Sequence, residues 1–301
     1  MEHDVTRGVR AAFLAYLVWG LLTVYWKQLT GFDPFELIGW RVAMSAVVMA
    51  VVVTTQGRWP VLGRTLRDPR LLGRLAVASL LLTVNWTTYV WAVVNDRVIE
   101  TALGYFLAPL GTMAIGVLVL GERLSPLKRL AAGFATGAVV VLTVSYGRLP
   151  IVALLIAASW SLYALSKRRV PLTPVESLAG ETMVLLLPAL GVIAWGATRP
   201  DGVPETASAA DWVLLAGTGV VTAVPLLLFA FAAQRVPFTV LGPLNYLVPI
   251  INFLLGWLVY DEDMPPSRFV GFILVWFALG AVTIDTVRDS RRARVPEPVA
   301  S

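Results

Sequence analysis

The sequence predicts an all-α polytopic membrane protein: ten transmembrane helices arranged as two inverted five-helix repeats. Three observations carry this. The 301 residues are 57% hydrophobic and only 14% charged, with a mean hydropathy of +0.76. Soluble domains carry about 25% charged residues, and disordered chains are polar, so neither class fits. The apolar residues fall into ten segments of bilayer-spanning length. The two halves of the chain match at a fixed offset.

The segments lie at about 9–29, 34–54, 72–94, 98–120, 126–146, 149–166, 176–197, 211–232, 238–259 and 268–287. Each meets the requirement of roughly 20 mainly apolar residues for a helix that crosses the hydrocarbon core. The first segment follows Arg7 and Arg10 as a signal peptide would, but it is long, lacks a small-residue cleavage site, and precedes nine more spans. It reads as a retained helix. The longest connections, about 55–71 and 198–210, are too short for a soluble domain.

Lys and Arg set the orientation. With the N-terminus inside, eighteen fall on the cytoplasmic side and four (Arg97, Arg148, Arg199 and Arg268) outside, with Lys27 and Arg41 within spans. This positive-inside asymmetry predicts cytoplasmic termini. It also accounts for the net charge of +5 and the pI near 9.7 without nucleic acid as a partner. The partner it does imply is the bilayer.

The repeat has an offset of 140 residues. Pro34, Glu36 and Arg41 align with Pro174, Glu176 and Glu181; Pro109, Gly116, Glu122, Pro126 and Lys128 align with Pro249, Gly256, Glu262, Pro266 and Arg268; Trp19 precedes Trp160 by 141. Five spans is an odd number, so corresponding helices cross in opposite directions. The expected units are residues 1–148 and 149–287, followed by a polar cytoplasmic tail, 288–301. Inverted repeats about an in-plane axis are typical of secondary transporters, with the binding site near mid-membrane at the repeat interface.

Ordered motifs add a family resemblance. AYLVWGLLTVYWK, PFELIGWRVAMS, NWTTYVWAV and ETALGYFLAPLGTMAIGVLVLGERLSPLKRLAAG in the first half, with LGPLNYLVPIINFLLGWLVYDED in the second, resemble the RarD-type members of the EamA family, drug/metabolite transporter superfamily. The resemblance covers nearly the whole chain. It implies ten helices, two EamA repeats, a central cavity open to one side at a time, and a bacterial inner membrane. The group is associated by name with chloramphenicol sensitivity. Some small relatives couple export to protons through a first-helix carboxylate. Here Val9 to Leu29 contains no Asp or Glu, so that route does not carry over and the coupling ion, the proton included, stays open.

Ionisable residues within spans are costly and usually face the bundle interior or a wet cavity. Arg41 lies about seven residues into the second span, roughly 10 Å deep at 1.5 Å per residue. Lys27, Glu36, Arg41 and Glu100 either form one outer charge cluster with Arg41 and Glu100 as gate candidates, or Lys27 and Glu36 snorkel to the interface while Arg41 and Glu100 make a packing ion pair. Glu181, the offset mate of Arg41, enters from the cytoplasmic side, which assigns the two to opposite gates. Uncharged polar and aromatic candidates for the cavity wall are Trp19, Asn85, Tyr89, Tyr105, Trp160, Tyr163, Thr222, Asn245, Tyr246 and Asn252. Such side chains can hydrogen-bond and stack on an amphipathic solute. The alternative for each is an interhelical hydrogen bond, worth about 0.6 kcal/mol on average in membranes.

Pro109, Pro188, Pro225, Pro243 and Pro249 are expected to kink or interrupt their helices. Gly133 and Gly137 form a GxxxG that packs either within the chain or in a homodimer. Trp59, Trp195, Trp212 and Tyr260 read as interfacial anchors, and Asp261–Glu262–Asp263 as a solvated loop or a cation site. No cysteine is present, and the single histidine, His3, lies in the N-terminal tail, so no catalytic residue, metal site or cofactor is expected. No glycine loop with its lysine suggests nucleotide drive. The reading is a secondary transporter of small organic solutes, by resemblance an exporter. A non-transporting structural or regulatory membrane protein, or an integral membrane transferase, is the alternative; the latter would need a concentrated acid/base or metal constellation.

Overall fold

The computed structural model describes residues 2–121, 123–167, 170–236, 241 and 244–292. Its helices are α1 (Glu2–Lys27), α2 (Pro34–Thr55), α3 (Trp59–Arg67), α4 (Pro69–Val94), α5 (Val98–Leu120), α6 (Pro126–Tyr146), α7 (Ile151–Lys167), α8 (Pro174–Gly196), α9 (Val203–Thr206), α10 (Ala209–Ala233), α11 (Leu247–Leu254) with a π-helical continuation (Leu255–Val259), and α12 (Pro266–Arg292). Among the described residues, eight helices are long and apolar enough to cross a membrane, and α7 and α11 are shorter apolar helices. The protein is an all-α polytopic membrane protein with ten apolar helices in the expected order.

Two connections hold short helices that hydropathy alone did not foretell: α3 in the 55–71 link and α9 in the 198–210 link. Pro243, Glu122, Arg168, Arg169 and the tail beyond Arg292 lie outside the described residues.

Caps mark where helices start. Pro is at the first helical turn of α2, α4, α6 and α8, where its missing N–H costs nothing. The residue before each accepts a hydrogen bond from the exposed first-turn amides: Asp33 from Phe35 N at 2.8 Å, Asp68 from Arg70 N at 2.9 Å, Ser125 from Lys128 N at 3.1 Å. Thr173 and Glu176 form a capping box on α8, as do Ser208 and Asp211 on α10. Pro109, Pro188 and Pro225 do not interrupt their helices; α5, α8 and α10 run on through them. Pro249 lies in the first turn of α11, where a missing N–H is tolerated.

Helix packing follows the repeat. α1 packs on α10 as α7 packs on α4; α1 meets α11 as α7 meets α5; α2 meets α10 as α8 meets α4. The remaining large contacts join each helix to its own counterpart: α2 with α8, α5 with α11, α6 with α12. A two-fold axis relating the halves generates this set. Opposite crossing directions follow from the five spans per half.

The centre of the bundle is formed by α1, α2, α4, α5, α7, α8, α10 and α11, while α6 and α12 pair at the periphery. Apolar side chains such as Leu118, Val144, Leu187 and Val213 are exposed on the outside, as lipid contact requires. Trp59, Trp195 and Trp212 are exposed at helix ends, where indoles anchor in the headgroup region. Within the chain, the GxxxG of α6 does not bring backbones into close contact. Gly133 has open space around it, and Gly137 faces Leu274 of α12 at an ordinary 3.8 Å.

Candidate functional site

Ten crossings leave both chain ends on one face, here called the terminal face. A cavity of about 560 Å³ runs into the bundle from it. Its mouth lies between the α7–α8 connection (Val170, Leu172 and the exposed Pro174) and the residues before α11 (Leu241 and Asn245). Its floor is formed by Arg41, Tyr89, Tyr105 and Thr222. Arg41 is seven residues into α2 from the other face, about 10 Å, so the cavity passes the middle of a bilayer core about 30 Å thick.

The lining is built from offset pairs. Leu82 and Thr222, Trp86 and Leu226, Tyr89 and Phe229, Tyr105 and Asn245, and Ala108 and Val248 are each separated by 140 residues, and all ten line the cavity. Trp19 and Trp160, separated by 141, do so as well. The site therefore lies on the axis that relates the halves. Eight of the ten residues expected in the wall are there: Trp19, Asn85, Tyr89, Tyr105, Trp160, Tyr163, Thr222 and Asn245. Tyr16, Trp86, Lys167, Ser177, Leu226 and Phe229 are among the others that line it. Applying the offset to Trp86 and Tyr89 would have found Leu226 and Phe229.

Aromatic rings form two facing walls. On one, Tyr89, Tyr105, Trp160 and Tyr163 follow one another with centroids 5.9, 6.4 and 5.8 Å apart, from floor towards mouth. On the other, Tyr16, Trp19 and Phe229 are mutually 5.6 to 5.9 Å apart. These tilted and edge-to-face spacings are those that aromatic quadrupoles favour.

Polar atoms behind the walls are fixed by buried hydrogen bonds. Asn85 Nδ2 donates to Ile156 O at 3.2 Å and Ser159 Oγ at 3.1 Å, and its Oδ1 accepts from Tyr105 OH at 3.3 Å. Thr23 Oγ1 donates to Asn252 Oδ1 at 2.9 Å, which commits its only proton, so Tyr89 OH donates to Thr23 at 2.9 Å. Asn252 Nδ2 reaches Thr101 at 3.5 Å. Asn252 is thus fully buried in a chain joining α4, α1, α11 and α5, and does not line the cavity. Tyr246 does not line it either; it packs against the α5–α6–α12 core.

The charges do not form the expected outer cluster. Lys27 pairs with Asp96, and Glu100 with Arg148 rather than Arg41. Glu36, 1% exposed, accepts from Val203 N at 3.0 Å across the two halves. Arg41 donates from Nε to Thr222 Oγ1 at 3.1 Å, also across the halves, and its guanidinium lies over the Trp86 ring at 4.0 Å and near Trp26 at 5.4 Å. Glu181, 0% exposed, lies beside the mouth as expected, but with a partner. Lys167 donates to Oε1, Ser177 Oγ donates to the same atom at 3.1 Å, and Tyr163 OH donates to Oε2 at 3.1 Å. From the sequence, Lys167 counts only among the eighteen cytoplasmic basic residues, because a basic residue at a span end already has that explanation.

The face away from the termini is sealed. Trp26, Leu37, Val90, Val93, Val98 and Leu215, all 0% exposed, close it above the floor. Polar contacts between the halves strengthen the seal: Arg199 with Asp33 at 3.3 Å, Glu36 with Val203 N, and Glu262 with the amides of Val98 and, at 2.9 Å, Ile99. Glu262 thus caps α5, a correction to the solvated-loop expectation, and its burial holds its pKa above the ordinary carboxylate value.

The comparisons with known proteins agree with this architecture. The chain matches the EamA-like transporter family twice, over residues 6–144 and 149–284. It is 42% identical to Protein RarD of Streptomyces exfoliatus, over 97% of this chain and 93% of that protein. It is 36% identical to the uncharacterized transporter YojE of Bacillus subtilis, over 98% of this chain and 99% of that one. A crystal structure only 20% identical shares the fold, with a TM-score of 0.59 over 93% of this chain and 98% of its own. Matches of this identity across nearly all of the chain, on a ten-helix fold with a cavity on its repeat axis, show that the chain belongs to the EamA-like transporter family, membrane transporters of the drug/metabolite superfamily.

Proposed function

We propose that the protein is a secondary carrier that exports small organic solutes across a bacterial inner membrane by alternating access, with both termini cytoplasmic. The observation that supports this most is the cavity of about 560 Å³, which runs from the terminal face past mid-membrane and ends beneath a packed seal. A site reachable from one side, built at an inverted-repeat interface, is what alternating access requires. The eighteen-to-four distribution of Lys and Arg supports a cytoplasmic terminal face. That orientation presents the open site to the compartment in which a solute for export is made. The walls suit a carrier: they offer aromatic rings and side-chain amides for binding a solute.

The test is transport by purified protein in lipid vesicles. Amino acids, nucleobases and amphenicol drugs are offered with and without a pH gradient. At least one class should move saturably, and Trp160→Ala should reduce its rate tenfold or more while the protein still inserts and stays monodisperse. Failure of every solute to move under any gradient overturns the reading.

A further inference from the structure

We propose that the cavity takes an organic anion: an amphipathic solute whose carboxylate, or a group of like charge and shape, docks on Arg41 while its apolar body lies between the aromatic walls. This rests on reading the cavity as the transport site, and it names the substrate class that the site selects.

The charge balance of the lining points to it. Among the described residues two ionised side chains face the cavity, Arg41 and Lys167, and both are cationic. Lys167 is neutralised at the mouth by Glu181, which stands behind the wall. Arg41 is not neutralised: among the described residues, none of the ion pairs includes it. It is only 4% exposed, at the deepest point of the cavity. A buried cation is held at a desolvation cost that indole faces offset only in part.

Its geometry fits a ligand. The hydrogen bond to Thr222 uses Nε and fixes the plane of the guanidinium. Among the described residues no hydrogen bond uses the two terminal amino groups, the fork that grips a carboxylate through two parallel bonds. The offset mate sharpens the contrast. Glu181 is surrounded by three donors, Lys167, Ser177 and Tyr163, whereas Arg41 has one neutral acceptor and two rings. A charge kept for packing alone would be satisfied as Glu181 is. A neutral solute would leave the guanidinium uncompensated, and a cationic one would be repelled.

Three near-isosteric probes separate these cases: 1-naphthaleneacetate, 1-naphthaleneacetamide and 2-(1-naphthyl)ethylamine, respectively anionic, neutral and cationic. Affinities are measured by titration calorimetry on the purified protein in detergent, and uptake in proteoliposomes. The acetate should bind at least tenfold more tightly than the amide, and the amine more weakly than both. Arg41→Gln should remove the acetate preference with little effect on the amide, and Arg41→Lys should retain part of it. An acetate that binds no more tightly than its amide, or not at all, overturns the proposal; this comparison needs only the wild-type protein, so it holds even if Arg41→Gln does not fold. Arg41-dependent acetate binding without uptake under any gradient would leave the anion site standing and remove the transport reading. Saturable uptake of the amide, with the acetate neither bound nor moved better than the amide, would do the reverse.

Discussion

Glu181 and Lys167 are bonded to each other, yet they differ in what each would face alone. The Glu181 side chain is 1% exposed, whereas that of Lys167 is 27% exposed at the open mouth. Lys167→Met strands a carboxylate out of reach of water and should lower stability by about 3–5 kcal/mol, the cost of breaking a buried pair from one side. Glu181→Gln keeps the hydrogen-bonding shape and leaves a lysine that can turn into water, so its cost should be about 1 kcal/mol. Thermal unfolding in detergent checks the order; equal losses would mean that the mouth is dry. The same pair shows what single residues could and could not disclose. Polar side chains in apolar helices stood out, and eight of ten expected wall residues are in the wall. Direction around the helix axis did not stand out, because lipid and core are both apolar and no polar face marks the inside. Arg41 and Glu100 enter from the same face, but Glu100 is in the first turn of α5 and Arg41 two turns into α2, and Glu100 pairs with Arg148 instead. Asn245 and Asn252 are seven apart and would share a face on an unbroken helix. Asn245 lines the cavity with Val248 and Pro249, whereas Asn252 lies further along, in a buried hydrogen-bond chain.

The contact between α2 and α10 shows how helices, more than single side chains, set the cavity floor. A Cβ on Gly219 would lie 2.3 Å from Met44 O and 2.5 Å from Met44 C, both backbone atoms that cannot rotate away. Gly219 lets the two backbones touch, and one turn further along α10 Thr222 meets Arg41. Gly219→Ala must push the helices apart, at a cost of about 1–3 kcal/mol for overpacking, and lengthen the Thr222–Arg41 bond. Gly133→Ala, on open lipid-facing space, should be neutral or slightly stabilising. A lower unfolding midpoint for Gly219→Ala, with weaker solute binding and no such change for Gly133→Ala, would support this; equal midpoints would show that α2 and α10 shift freely. Helix number and order were readable from hydropathy because each span must be long and apolar. The close crossings were not, since a glycine looks the same in sequence at a helix crossing as at an open surface. Nor do the prolines mark where helices end: α5, α8 and α10 run on through theirs.

The two-fold relation between the halves makes a statement about a second conformation. In the present one the terminal face is open at Leu172 and Pro174, and the other face is held shut by Trp26, Leu37 and Val93, with Asp33–Arg199 and Glu262–Ile99 contacts between halves. If the halves exchange conformations, the contacts between them on the sealed face break and the terminal mouth closes. The chain has no cysteine, so an introduced thiol reports without background. In this conformation Leu172→Cys should react with a membrane-impermeant maleimide, and Leu37→Cys, 0% exposed, should be protected. If both termini are cytoplasmic, Leu172→Cys reacts in everted vesicles and not in intact cells. A transported solute or an imposed gradient should then move the two rates in opposite directions, because one axis couples the two doors. Rates that rise together would mean a continuous pore, and rates that never change would mean a fixed cup; either result removes alternating access while leaving the fold as it stands.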